Sequence, residues 1–268
     1  IISQDSCFGC MPDIKNHICD MDEYVSYSDS LKNISYRIPD DEKYGDGSLQ
    51  PAIESQSSVY EPKHNEKIAI NASIIWKNIN GMDYMMYAYN NEIPGPLIKV
   101  RQGSTILVNF TNNLGVETSV HWHGLRLANK NDGAPYVTQN PLKSGESYLY
   151  ELKFPDEGVY WYHSHFREDA QQEKGLYGMM LVMPKTGDNF SEIDKEKILV
   201  LDDILIKNNG LEIFSRKNIN HALMGRFGDT MLINGKTDYE ATIVKGDVVR
   251  FYITNTANAR PFNFSIEK

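Results

Sequence analysis

From Lys67 onward the chain is written in short β-prone runs set off by turn residues, a pattern that confines it to all-β folds. Ile68–Trp76, Asp83–Tyr89 and Thr105–Phe110 are such runs, and Asn80-Gly81, Pro94-Gly95-Pro96 and Gln102-Gly103 punctuate them. Strands of this length and spacing predict Greek-key β-sandwiches or barrels. A second series starts near Ile193, after a polar break at Lys185-Thr186-Gly187-Asp188-Asn189 that reads as a linker. The residues before Lys67 are rich in Ser, Asp, Tyr and Asn without apolar periodicity. The reading is therefore a mostly irregular extension over 1–62, a first domain over 63–187 and an incomplete second domain over 188–268.

The two series repeat each other. Gly103-Ser104-Thr105-Ile106-Leu107-Val108-Asn109-Phe110-Thr111-Asn112 aligns with Gly246-Asp247-Val248-Val249-Arg250-Phe251-Tyr252-Ile253-Thr254-Asn255. One gap further on, His121-Trp122-His123 falls against Asn263-Phe264-Ser265. The second copy keeps the strand pattern and lacks the imidazoles.

Those imidazoles are the chemical signal. His121-Trp122-His123-Gly124 and His163-Ser164-His165 place four of seven histidines in two His-x-His pairs, each within an aromatic-rich apolar run. In a strand, residues i and i+2 share a face, about 7 Å apart, and a neighbouring strand lies about 5 Å away. Two such pairs on adjacent strands make a small quadrilateral of rings. Imidazole without thiolate or carboxylate favours copper or zinc, and a single zinc is usually served by loop or helix spacings. Two strand-borne pairs suit a multinuclear copper centre better.

The remaining composition excludes more than it assigns. A chain of 268 residues has material for two domains, and a net charge of −9 argues against a nucleic-acid partner. The densest apolar run, Met179–Met183, is far shorter than the roughly 18 residues of a membrane span. Cys7, Cys10 and Cys19, with His17 beside them, read as a disulfide or free thiols ahead of a soft-metal site. The start at Ile1 fits a removed signal peptide or missing upstream sequence, and the end at Lys268, inside an apparent strand Phe262–Ile266, reads as a cut.

Taken together, these residues resemble the multicopper oxidases, in particular the three-domain laccase-like and bacterial or archaeal copper oxidases built from cupredoxin domains. Ile93-Pro94-Gly95-Pro96 is similar to that family's strand-entry motif, and His121-Trp122-His123-Gly124 and Trp161-Tyr162-His163-Ser164-His165 to its first two copper signatures. Asp132-Gly133, Thr138-Gln139-Asn140-Pro141 and Gly175-Leu176-Tyr177-Gly178 match its intervening loop and closing strand. The resemblance implies copper as cofactor, O2 and a small-molecule or metal-ion reductant as partners, and an extracellular or periplasmic location. It implies His121 as a type 2 ligand and His123, His163 and His165 as type 3 ligands. It also implies a later domain carrying His-x2-His-x-His and a His-Cys-His-x3-His signature with the type 1 copper, so this chain alone is expected to be inactive.

Asp132, eleven residues after His121, matches the position the family uses for proton delivery; read by itself, Asn131-Asp132-Gly133 has hairpin-turn chemistry. Met82, Met85, Met86, Met179, Met180 and Met183 read as core rather than cuprous-ion ligands, and Trp122 and Trp161 as core aromatics beside the imidazoles. His17, His64 and His221 read as isolated surface residues. The competing function is a copper-binding or structural cupredoxin without redox turnover. A trimeric two-domain oxidase is disfavoured by Asn263 and Ser265, and a nitrite reductase by Ser164 where that enzyme has Cys.

Overall fold

The computed structural model describes residues 50–52, 58–187, 192–208, 210–215 and 217–265. The cysteines and His17 lie outside the described residues. The strands, in chain order, are β1 Gln50–Pro51, β2 Val59–Tyr60, β3 Lys67–Ile79, β4 Met82–Tyr89, β5 Gly95–Arg101, β6 Thr105–Asn113, β7 Val120–His123, β8 Ser147–Lys153, β9 Gly158–Ser164, β10 Tyr177–Met183, β11 Lys195–Ile204, β12 Ile206–Lys207, β13 Gly210–Leu211, β14 Thr230–Ile233 and β15 Val249–Asn255. Among the described residues two short helices, α1 Glu168–Gln171 and α2 Ile219–Met224, interrupt them. Among the described residues no helix is long and apolar enough to cross a membrane.

Strands β1, β3, β4, β6 and β8 form one five-stranded sheet, and β2, β5, β10, β9 and β7, in that order, form another. The β3–β4 hairpin turns at Asn80 and Gly81, with φ of 53° and 84°. Two consecutive positive φ values are what a type I′ turn requires, and Asn-Gly supplies them at low steric cost. In β6 the alternation puts Ile106, Val108 and Phe110 inward, fully buried, against Trp122, Tyr150, Tyr162 and Met180. This is a mixed-sheet, cupredoxin-like sandwich. Gln50–Pro51 and Val59–Tyr60 belong to it as well, pairing with β3 and β5, although the sequence reads that segment as irregular.

β10 is buried on both faces, as its unbroken apolar run Tyr177-Gly178-Met179-Met180-Leu181-Val182-Met183 requires. Met180 and Val182 point into the sandwich, while Tyr177, Met179 and Leu181 join Ile75, Met86, Val200, Ile204 and Leu232 in a second apolar cluster. Burying a side chain of this size contributes roughly 1.5–3 kcal/mol. The second cluster holds the three-stranded sheet β14-β11-β15 against the sandwich, and the described residues form one compact unit.

The internal repeat is visible in the backbone. β6 and β15 each follow a glycine of positive φ, Gly103 at 85° and Gly246 at 102°, and each pairs in parallel with the first long strand of its series, β3 and β11. The expected strand at Phe262–Ile266 does not form over its described residues 262–265. A strand needs a hydrogen-bonded neighbour, and among the described residues the second series has no counterpart of β9 for it to pair with.

Candidate metal centre

β7 and β9 are antiparallel neighbours, and their register sets His121 opposite His163. Directly opposed residues share a face, so His121, His123 and His163 meet outside the sandwich while Trp122 and Tyr162 fill its core. His165 lies one residue beyond β9. The ring centroids are 5.4 Å apart for His121 and His123, 5.5 Å for His121 and His163, 5.2 Å for His121 and His165 and 5.6 Å for His123 and His163. Ligand atoms of His121, His123 and His163 all lie within 4.8 Å of one another, and among the described residues no other His, Cys, Asp or Glu trio converges this closely.

Hydrogen bonds fix the tautomers. His121 Nδ1 lies 2.7 Å from the Asp132 carbonyl oxygen and His163 Nδ1 lies 2.8 Å from the Ser164 carbonyl oxygen. A carbonyl only accepts, so both Nδ1 atoms donate and both Nε2 lone pairs are left for a ligand. His123 turns the other way, with its Nδ1 3.4 Å from His163 Nε2. Two nitrogens bound to one ion at about 2.0–2.1 Å in tetrahedral geometry stand about 3.3 Å apart. The donor set therefore fits a metal that takes imidazole.

Burial favours the neutral form of His163 and His123. His163 is 5% exposed, and its removal from water, with His121, His123 and His165 adding to the effect against an opposing backbone hydrogen bond, lowers its pKa to about 3. Partial burial, then His121 and His165, also lowers His123. Trp161 stacks on His163 at 4.2 Å and tilts against His123 at 5.1 Å, walling one side.

Asp132 sits at the edge of this group. Its carboxylate Oδ1 is 3.6 Å from His121 Nδ1, and it ends a 3-10 turn, Asn129–Asn131, with φ −77°. A type I′ hairpin turn needs positive φ at both central residues, so the Asn131-Asp132-Gly133 sequence does not form one here. Instead Gly133, at φ +81°, packs so closely that a Cβ would stand 1.8 Å from the Val120 carbonyl oxygen. The loop is pressed onto β7, next to His121.

A profile of the multicopper oxidase family matches residues 71–187. These residues are similar to a multicopper oxidase domain. Copper resistance protein A of Escherichia coli is 32% identical over 126 residues, 47% of this chain and 20% of that protein. Multicopper oxidase MmcO of Mycobacterium tuberculosis is 43% identical over 115 residues, 43% of this chain and 22% of that protein. A multi-copper oxidase structure from Pseudomonas thermotolerans superposes with a TM-score of 0.67 at 26% identity, covering 76% of this chain and 48% of that one. The matched segments thus span about a fifth of these curated relatives' own length.

Sequence reasoning missed the support behind these four histidines. Gln171, Gln172, Glu173 and Lys174 are four consecutive polar residues, all buried. Gln171 Oε1 accepts from both Ser164 Oγ and Thr118 Oγ1 at 2.7 Å, and its Nε2 donates to the Glu117 carbonyl at 2.8 Å. One side chain thereby ties the end of β9 to the lead-in of β7. Gln172 donates to the Thr256 carbonyl, and Glu173 pairs with buried Arg226, linking the same segment to the second series. His221, read as a surface residue, is instead 5% exposed, stacked on Phe214 and accepting from the Ser215 amide. Met86, Met179 and Met180 lie in the apolar clusters.

Proposed function

We propose that the chain is the N-terminal part of a multicopper oxidase that couples one-electron oxidation of a phenol, an aromatic amine or a metal ion to four-electron reduction of O2 to water. The convergence of His121, His123 and His163, with His165 beside them, carries this reading, because an imidazole-only set on two strands suits copper. In it, His121 serves a type 2 copper and His123, His163 and His165 a type 3 pair. When bound, the copper ions supply the electron storage that dioxygen reduction needs. The protein's part is to hold the Nε2 atoms of His121 and His163 as bare lone pairs and to keep His163 neutral. Asp132, beside His121, is the residue to hand on protons, directly or through one water.

The same reading assigns 63–187 and 188–268 to two cupredoxin domains, the first alone bearing copper ligands, and gives the protein an extracellular or periplasmic place. The remaining ligands, including those of a type 1 copper, belong to a further domain, so the 268-residue chain by itself does not turn over. The test is to express the complete coding sequence containing this chain, load it with copper and follow O2 uptake with a phenol, an aromatic amine and a reduced metal ion. Four electrons consumed per O2, without peroxide, supports the proposal. Copper-loaded protein that consumes no O2 with any reductant class refutes it in favour of a copper-binding cupredoxin.

A further inference from the structure

The four imidazoles differ in what holds the nitrogen turned away from the centre. His121 and His163 are held by main-chain carbonyls, and His123 presents Nδ1 inward. His165 alone has a side-chain carboxylate as its nearest such partner: its Nδ1 stands 3.2 Å from Glu168 Oε1, three residues on. The path of the chain produces this contact. After β9, Arg167 takes the left-handed conformation, φ 50° and ψ 55°, and α1 starts at Glu168, bringing its carboxylate back over His165.

The surroundings leave that carboxylate directed at His165. The neighbouring Arg167 guanidinium is engaged by Asp169 through two contacts of 2.8 and 2.9 Å. The Glu168 backbone is anchored from the second series, with Asn258 Nδ2 donating to its carbonyl at 3.2 Å, and α1 ends at Gln171, which ties Ser164 to Thr118. We propose that Glu168 is a positioning residue for His165, holding the proton on Nδ1 so that the Nε2 lone pair faces the copper. The role in copper binding rests on the function proposed above. A carboxylate on the far nitrogen of a metal-bound imidazole fixes its tautomer and raises its basicity.

The experiment is long-range proton–nitrogen NMR on the 15N-labelled, chelator-stripped chain at about pH 8, where imidazole is neutral, paired with copper affinity by chelator competition. His165 is expected as the Nδ1–H tautomer in the wild type and in Glu168→Gln, whose amide oxygen still accepts, and as Nε2–H in Glu168→Ala. His121 and His163 should remain Nδ1–H in all three, which separates a local effect from a general disturbance. Copper affinity should fall about tenfold or more in Glu168→Ala and less in Glu168→Gln. Nε2–H in the wild type, Nδ1–H retained in Glu168→Ala, or an affinity within twofold of wild type in Glu168→Ala each overturns the proposal. A wild type that shows the expected tautomers and binds no copper supports the pairing and refutes the copper reading.

Discussion

Acid should destabilise the metal-free chain through one side chain above all, His163. Its folded pKa is about 3, whereas an unfolded histidine titrates near 6.5. Between these values the unfolded state binds about one more proton than the folded state, so stability falls as pH drops through that window and is fully present above it. From pH 7 to pH 5 the unfolded imidazole takes up most of a proton and the folded one almost none, which costs about 2 kcal/mol. The assay is urea unfolding of chelator-treated wild type and His163→Gln at both pH values. The wild type should lose about 2 kcal/mol more than the variant. Equal losses in the two proteins would refute the claim that burial keeps this ring neutral.

Three further outcomes follow from the same geometry. Gln171→Ala leaves Ser164, Thr118 and the Glu117 carbonyl short of a partner and should cost about 3 kcal/mol in urea unfolding, with weaker copper binding. Gly133→Ala, with its Cβ driven at the Val120 carbonyl from a positive φ, should cost more than about 1 kcal/mol in the same assay and release His121 Nδ1 from Asp132, visible in the histidine nitrogen spectrum. Asp132→Asn keeps the carbonyl contact to His121, so copper stoichiometry should hold in the complete protein while the O2 uptake rate falls about a hundredfold, more so at higher pH.

Local features were the readable ones. The two-residue period of His121 and His123 on β7, the Asn80-Gly81 turn and the continuous apolar run of β10 each carry their structure in neighbouring residues, and each appears as the sequence implies, whereas His165 falls one residue beyond β9. The pairing of His121 with His163 depends on register across forty residues, which no local pattern encodes. The buried run Gln171–Lys174 carries no local apolar pattern to mark its burial, because its polar residues find their partners in the lead-in to β7, at the end of β9 and in the second series. Phe262–Ile266 looks like a strand, yet over its described residues 262–265 strand propensity without a neighbour to pair with gives irregular chain. Asp132 was findable by position, but only the fold shows its carbonyl, rather than its carboxylate, making the short contact to His121.

The central claim, that these histidines hold copper, is tested most directly by anomalous diffraction at the copper edge from copper-loaded crystals. The account predicts a copper peak between β7 and β9, within about 2.0–2.1 Å of His163 Nε2 and His123 Nδ1, that disappears in His163→Ala. Copper-loaded crystals with no peak among His121, His123, His163 and His165, or with a peak unchanged in His163→Ala, would contradict it.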